Sequence, residues 1–152
     1  MPTFPNARYL FARTEYTHWQ GDTNDRTRAI MEDSVQPVVD AGLVDLVASD
    51  HGVAEGVRLE PTPGHTPGHV SVYIESRGER AVITGDLMHH PVQCAHPEWP
   101  SSADEDPVLA MQTRRKFLEA HADTPTLVFG THFATPSAGR IVRDGDAFRL
   151  AV

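Results

Sequence analysis

The sequence predicts a mixed α/β domain, and three observations carry that prediction. Apolar runs of strand length alternate with longer segments that open on helix-capping residues. Three of the runs end in Gly- or Pro-rich turns that hold a His or an Asp: Val57-Arg-Leu-Glu60 leads to His65, Ala81-Val-Ile-Thr84 to Asp86, and Thr126-Leu-Val-Phe129 to His132. The chain closes on an alternating run split by Asp144-Gly145, a strong hairpin dipeptide.

The elements follow in order. Ala7 to Phe11 reads as a short strand, and Thr14 to Gln20 as a helical turn or two stopped at Gly21. Thr23-Asn-Asp25 offers N-caps for a helix from Arg26 to Ala41, with Gly42 as its stop. Ile30, Met31, Val35, Val38 and Val39 follow one face of that helix. Pro37 should kink or break it, because proline has no N–H to donate and its ring crowds the preceding turn. Leu43 to Val47 is the next strand, and Ala48 to Glu55, with His51, a loop. Val70 to Ile74 and Ala81 to Thr84 form a hairpin through Arg77-Gly78-Glu79. Leu87 to Ser102 is a long irregular loop rich in His and Pro, and such loops inside compact domains are often functional. Asp106-Pro107 starts a helix that runs to Ala122, Asp as cap and Pro at the first position. Arg114, Arg115 and Lys116 are expected on its solvated face. With no repeat, low-complexity tract or linker, residues 1–152 are expected to form a single domain.

Composition narrows the function. A formal net charge of -8 argues against a nucleic-acid partner and gives no sign of a membrane surface. No apolar run approaches the roughly 18–20 residues of a membrane span. Met1-Pro-Thr-Phe-Pro5 has neither the basic start nor the apolar segment of a signal peptide. The single cysteine, Cys94, excludes an internal disulfide framework and fits a reducing cytoplasm. Nothing cationic lies near it in sequence, so it is expected to be an ordinary buried thiol. Nine histidines in 152 residues hint at metal chemistry.

A ligand at the end of a rigid strand is held in place, and a neighbouring Gly lets the backbone turn closely around an ion. Imidazole and carboxylate together suit zinc, with iron and manganese as near competitors. His65, Asp86 and His132 are therefore the candidate ligands. The structural alternatives are a turn-capping His65, an Asx turn at Asp86 and a plain loop His132. His69 is expected as a hydrogen-bond partner supporting the site. His89 and His90 follow Asp86 closely, and one of them could line the substrate pocket; the alternative is two loop histidines. His96 and Trp99 could wall that pocket or form a small loop core, and Phe133 could touch substrate. His18, His51 and His121 are expected at the surface or in helix packing.

Thr62-Pro-Gly-His-Thr-Pro-Gly-His69, Thr84-Gly-Asp86 and Gly130-Thr-His132, in this order, resemble the later metal motifs of the metallo-β-lactamase superfamily. Gly85-Asp-Leu-Met-His-His-Pro91 and Ala138-Gly-Arg-Ile-Val-Arg-Asp-Gly145 are most similar to the branch holding N-acyl-homoserine lactonases and methyl-parathion-type hydrolases. The resemblance implies an αββα sandwich with two zinc ions, His65 serving the first, His132 the second, and Asp86 bridging both. It implies hydrolysis of an ester, lactone or related bond in a small-molecule substrate by water activated between the ions. The family's opening His-x-His-x-Asp-His motif is absent from the sequence, so the chain reads as a partial sandwich, mainly its C-terminal half. Each ion would then draw two ligands from this chain, counting Asp86 twice, where a catalytic zinc normally takes three. The alternatives are a truncated piece of a longer enzyme, a half-domain that associates with a partner or with itself through its incomplete sheet, and a non-catalytic remnant acting at most as a binding module.

Overall fold

The structure, a computed structural model, describes residues 2–152. Strand β1 (Tyr9–Ala12) pairs in parallel with β2 (Val44–Val47), Tyr9 opposite Val44 and Ala12 opposite Val47. The crossover between them carries helices α1 (Arg13–Gly21), α2 (Asp25–Ile30) and α3 (Gln36–Asp40). The helix expected over Arg26 to Ala41 exists but is divided. Asn24 caps it by accepting from the Arg26 N–H at 2.9 Å, and Met31–Val35 widens into a π turn just before Pro37. Widening the helix there avoids both the clash of the proline ring and the bond its missing N–H would have made.

The second sheet has seven strands in sequence order: β3 (Gly52–Ala54), β4 (Val57–Pro61), β5 (Val70–Ser76), β6 (Glu79–Ile83), β7 (Leu127–Phe129), β8 (Ala138–Asp144) and β9 (Ala147–Ala151). All neighbours are antiparallel except β6 and β7. Their parallel pairing needs a crossover, which contains α4 (Val92–Ala95) and α5 (Pro107–His121). Strand β3 falls in a segment expected as loop; its three residues are all exposed, and only pairing with the edge of β4 makes them a strand.

Alternation decides the two faces of the sheet. Val82, Val128 and Ile141, all 0% exposed, pack with Phe117 and Leu118 of α5 and with Leu87, Met88, Cys94, Phe133 and Phe148. The opposite face carries Val72, Ile74, Ala81 and Leu127, half-buried, beside Ile83 and Phe129, 39% and 37% exposed and paired across β6 and β7. These side chains make that face of the sheet an apolar patch. Among the described residues no helix is long and apolar enough to cross a membrane.

Helix α5 begins as expected, with the Asp106 carboxylate accepting from the Leu109 N–H at 2.9 Å and Pro107 in the first turn. Its Arg114 departs from expectation. Arg115 is exposed, but Arg114 is 0% exposed. It falls on the same helical stripe as Ala110, Phe117, Leu118 and His121, all of which face the core.

At the end of α5, His121 packs against Phe117 and shares a 2.6 Å hydrogen bond with the Tyr73 hydroxyl. Burial holds His121 below the ordinary imidazole value, with Glu60 pulling it up and Arg80 pushing it further down. The folded chain therefore favours the neutral ring. As pH falls below about 6.5, the unfolded chain takes up a proton that the folded chain refuses, so stability falls until the folded-state value is passed. His121→Gln is expected to flatten this decline by up to about 1.4 kcal/mol per pH unit in the window between about pH 6.5 and the lower folded-state value. Urea melts at several pH values check it; an unchanged slope would mean that His121 does not titrate there.

Candidate metal centre

The loop between β4 and β5 is clamped onto the start of α5. The Asp106 N–H donates to the Gly64 carbonyl at 3.0 Å, the Glu105 N–H to the His65 carbonyl at 3.0 Å, and the Thr113 hydroxyl to the Pro63 carbonyl at 2.7 Å. Gly64 has φ +132, and a Cβ there would lie 2.3 Å from the Ala110 nitrogen, so only glycine lets the loop approach this closely. His65 is thereby fixed, with its side chain 14% exposed.

Asp86 sits in a single turn of 3₁₀ helix, Gly85–Leu87, directly after β6. Its N–H donates to His69 Nε2 at 2.8 Å. With Nε2 accepting, the His69 proton lies on Nδ1, which donates to the Thr62 carbonyl at 3.0 Å. Burial holds His69 below the ordinary imidazole value, which keeps it neutral in this role. Gly85, at φ +57, leaves room for this contact; a Cβ would stand 2.7 Å from His69 Nε2.

The two carboxylate oxygens of Asp86 face different imidazoles. His65 Nε2 is 3.3 Å from Oδ2, and His132 Nε2, in the turn after β7, is 2.9 Å from Oδ1. Burial pushes the Asp86 carboxyl up, but the bond from His132 and the charges of His65, His132 and His89 outweigh it and hold the group below the ordinary carboxylate value. The His89 ring centroid lies 5.1 Å from that of His65, and the ring stacks on that of His132 at 4.7 Å. Among the described residues, two sets of ligand atoms each lie within 4.8 Å of one another: those of His65, His89 and Asp104, and those of Asp86, His89 and His132. His89 Nδ1 is buried and has no hydrogen-bond partner among the described residues. Converging carboxylate and imidazole donors, one imidazole of which carries an unpartnered buried nitrogen, fit a divalent metal ion.

Two residues at the centre were missed in the sequence. Asp104 Oδ1 lies 3.3 Å from His65 Nδ1, on the opposite side of that ring from Asp86. Its Oδ2 accepts from the Ser101 N–H at 2.9 Å and from Arg114 Nη2 at 2.5 Å. Arg114 also donates to the carbonyls of Leu87, Pro97 and Trp99 at 2.9–3.0 Å. It thus ties the irregular loop to α5 and turns Asp104 toward His65. The helical stripe that includes Arg114 could have revealed it; nothing in the acidic run around Asp104 points to His65.

The other expected site residues lie outside both ligand sets. His90 is exposed and accepts from the Val92 N–H at 3.1 Å, ahead of α4. The His96 ring stacks on Trp99 at 4.4 Å, and Trp99 is 51% exposed. Phe133, expected beside substrate, is 6% exposed in the hydrophobic core, because the turn at Gly130 directs it inward while His132 faces out. Cys94 is buried, and its thiol is pushed up to about 11 by burial. His18 pairs with Glu105 at 2.9 Å.

A family model described as the metallo-beta-lactamase superfamily matches residues 1–132. The N-acyl homoserine lactonase AiiA of Bacillus thuringiensis subsp. kurstaki is 27% identical over 128 residues, which cover 84% of this chain and 48% of that protein. The chain therefore spans about half the length of the curated relatives it matches. Among solved structures, AidC, a dizinc quorum-quenching lactonase in complex with a homoserine product, is similar with a TM-score of 0.84 and 25% identity, covering 99% of this chain and 56% of that one. The hydrolase AbOPH of the beta lactamase superfamily is similar with a TM-score of 0.86 and 25% identity, covering 98% and 56%.

Proposed function

Because the chain belongs to the metallo-β-lactamase superfamily, we propose that it is the metal-binding part of a hydrolase acting on an ester, lactone or related bond of a small-molecule substrate. The observation that carries this reading is the convergence on Asp86, whose two oxygens each face a separate imidazole, His65 at 3.3 Å and His132 at 2.9 Å. A carboxylate so placed can bridge two cations and offset their repulsion. Zinc suits the donor set, with iron and manganese as alternatives. When bound, such ions supply Lewis acidity, making hydroxide available near neutral pH and stabilising negative charge that develops on the attacked oxygen.

The chain's own residues hold and orient. His69 fixes the Asp86 backbone through its N–H, and the Asp104–Arg114 pair aims His65. No side chain serves as a covalent nucleophile in this scheme. An apolar cavity of about 330 Å³ adjoins His69, lined by Leu10, Phe11, Tyr16, Trp19 and Val70, and would suit an apolar acyl group. The relatives' names point to N-acyl-homoserine lactones as the first substrates to try. Self-association through the uncovered Ile83–Phe129 face belongs to the same reading.

The rival reading is a binding module without activity, favoured by the two protein ligands that His65, Asp86 and His132 offer each ion. The test is hydrolysis of N-hexanoyl-homoserine lactone by zinc-loaded protein, compared with protein dialysed against a chelator. Zinc-dependent turnover is expected. A zinc-loaded, folded protein with no turnover of lactones, carboxylic esters, thioesters or phosphotriesters would leave the binding module.

A further inference from the structure

We infer that His89 is a metal ligand, and that Asp86, His89 and His132 form a three-ligand site able to hold one divalent cation without residues from outside this chain. The inference rests on the reading of this region as a metal centre and goes beyond it by assigning a ligand and ranking the two metal positions.

His89 is the one residue common to both ligand sets. Its Nδ1 is buried without a partner among the described residues, a condition that costs free energy unless something else occupies the nitrogen. The placement is built rather than incidental. Leu87 and Met88, 3% and 0% exposed, anchor the stretch between Asp86 and His89 in the core. The His89 N–H donates to Gln93 Oε1 at 2.7 Å, and the buried Gln93 in turn donates to the Trp99 carbonyl at 2.9 Å. This holds the His89 backbone beside the site, while the adjacent His90 turns out to solvent.

The other set, His65, His89 and Asp104, is a weaker candidate. Both oxygens of Asp104 are already engaged, one by Arg114 and the Ser101 N–H and the other by His65, and its side chain is 0% exposed. Asp86 and His132 are 40% and 45% exposed and bond each other, so both are accessible to an arriving ion. With His89 they supply three protein ligands and leave further positions open, the pattern of a catalytic rather than a structural site. The position served by His65 and Asp86 alone has two ligands and is the weaker one.

The experiment is a Co²⁺ titration of the full chain, followed by calorimetry and by the visible absorption of the bound ion. Wild type is expected to bind a first equivalent tightly and a second weakly. His89→Ala and His89→Gln should each weaken the first equivalent at least tenfold and change its absorption, with circular dichroism reporting the fold. His65→Ala should spare the first equivalent and weaken the second, and His90→Ala should change neither. If wild type binds Co²⁺ and both His89 variants bind it equally well, or if His65→Ala removes the tight equivalent, the three-ligand site is wrong. If folded wild type binds no Co²⁺, the metal-centre reading fails with it. Hydrolysis is a separate readout, so loss of activity alone bears on the proposed function and not on this assignment.

Discussion

Asp86→Ala is expected to bring retained metal to well below one equivalent and to lower metal-dependent hydrolysis by on the order of 10³-fold or more. Asp86 lies within reach of both His65 and His132, so its loss removes a ligand from both metal positions at once. Metal-ion stabilisation of transition-state charge is worth several kcal/mol, and each 1.36 kcal/mol is tenfold in rate. The fold should be little affected, because the Asp86 side chain is 40% exposed and its structural bond, to His69, is made by the backbone N–H. Metal analysis after dialysis, thermal melts and lactone hydrolysis on the same sample separate these effects. A folded Asp86→Ala protein with wild-type metal content or activity would refute the proposed mechanism.

Arg114→Met is expected to destabilise the fold by about 3–5 kcal/mol, which is a large part of a typical domain's total. It strands the Asp104 carboxylate, 0% exposed, without its cation and leaves the carbonyls of Leu87, Pro97 and Trp99 without their donor. Adding Asp104→Leu should recover part of the loss, because the unpaired buried charge disappears while the orphaned carbonyls stay. Arg114→Lys should not rescue, since an ammonium cannot span the carboxylate and three carbonyls as the guanidinium fork does. Urea unfolding of the single and double variants measures this. A loss below about 1 kcal/mol for Arg114→Met would show that the buried pair contributes little beyond a surface ion pair.

The sequence by itself determined the parts of this protein that depend on neighbours along the chain. The caps at Asn24 and Asp106, the hairpin turns, and the delivery of His65, Asp86 and His132 by turns after strands follow from local backbone preferences and from two short periodicities. Pro37 forced an irregularity into its helix, though only the structure shows it as a π turn. The tertiary structure decided which side chains those elements bring together. It buried Arg114 rather than Arg115, placed His89 rather than His90 beside Asp86 and His132, turned Phe133 into the core, and set Asp104 against His65 across 39 residues of sequence. Such pairings depend on which loop packs on which helix. Here the parallel β6–β7 crossover lays the irregular loop over α5, so a guanidinium read as solvated becomes the buried partner of the group that orients a candidate metal ligand.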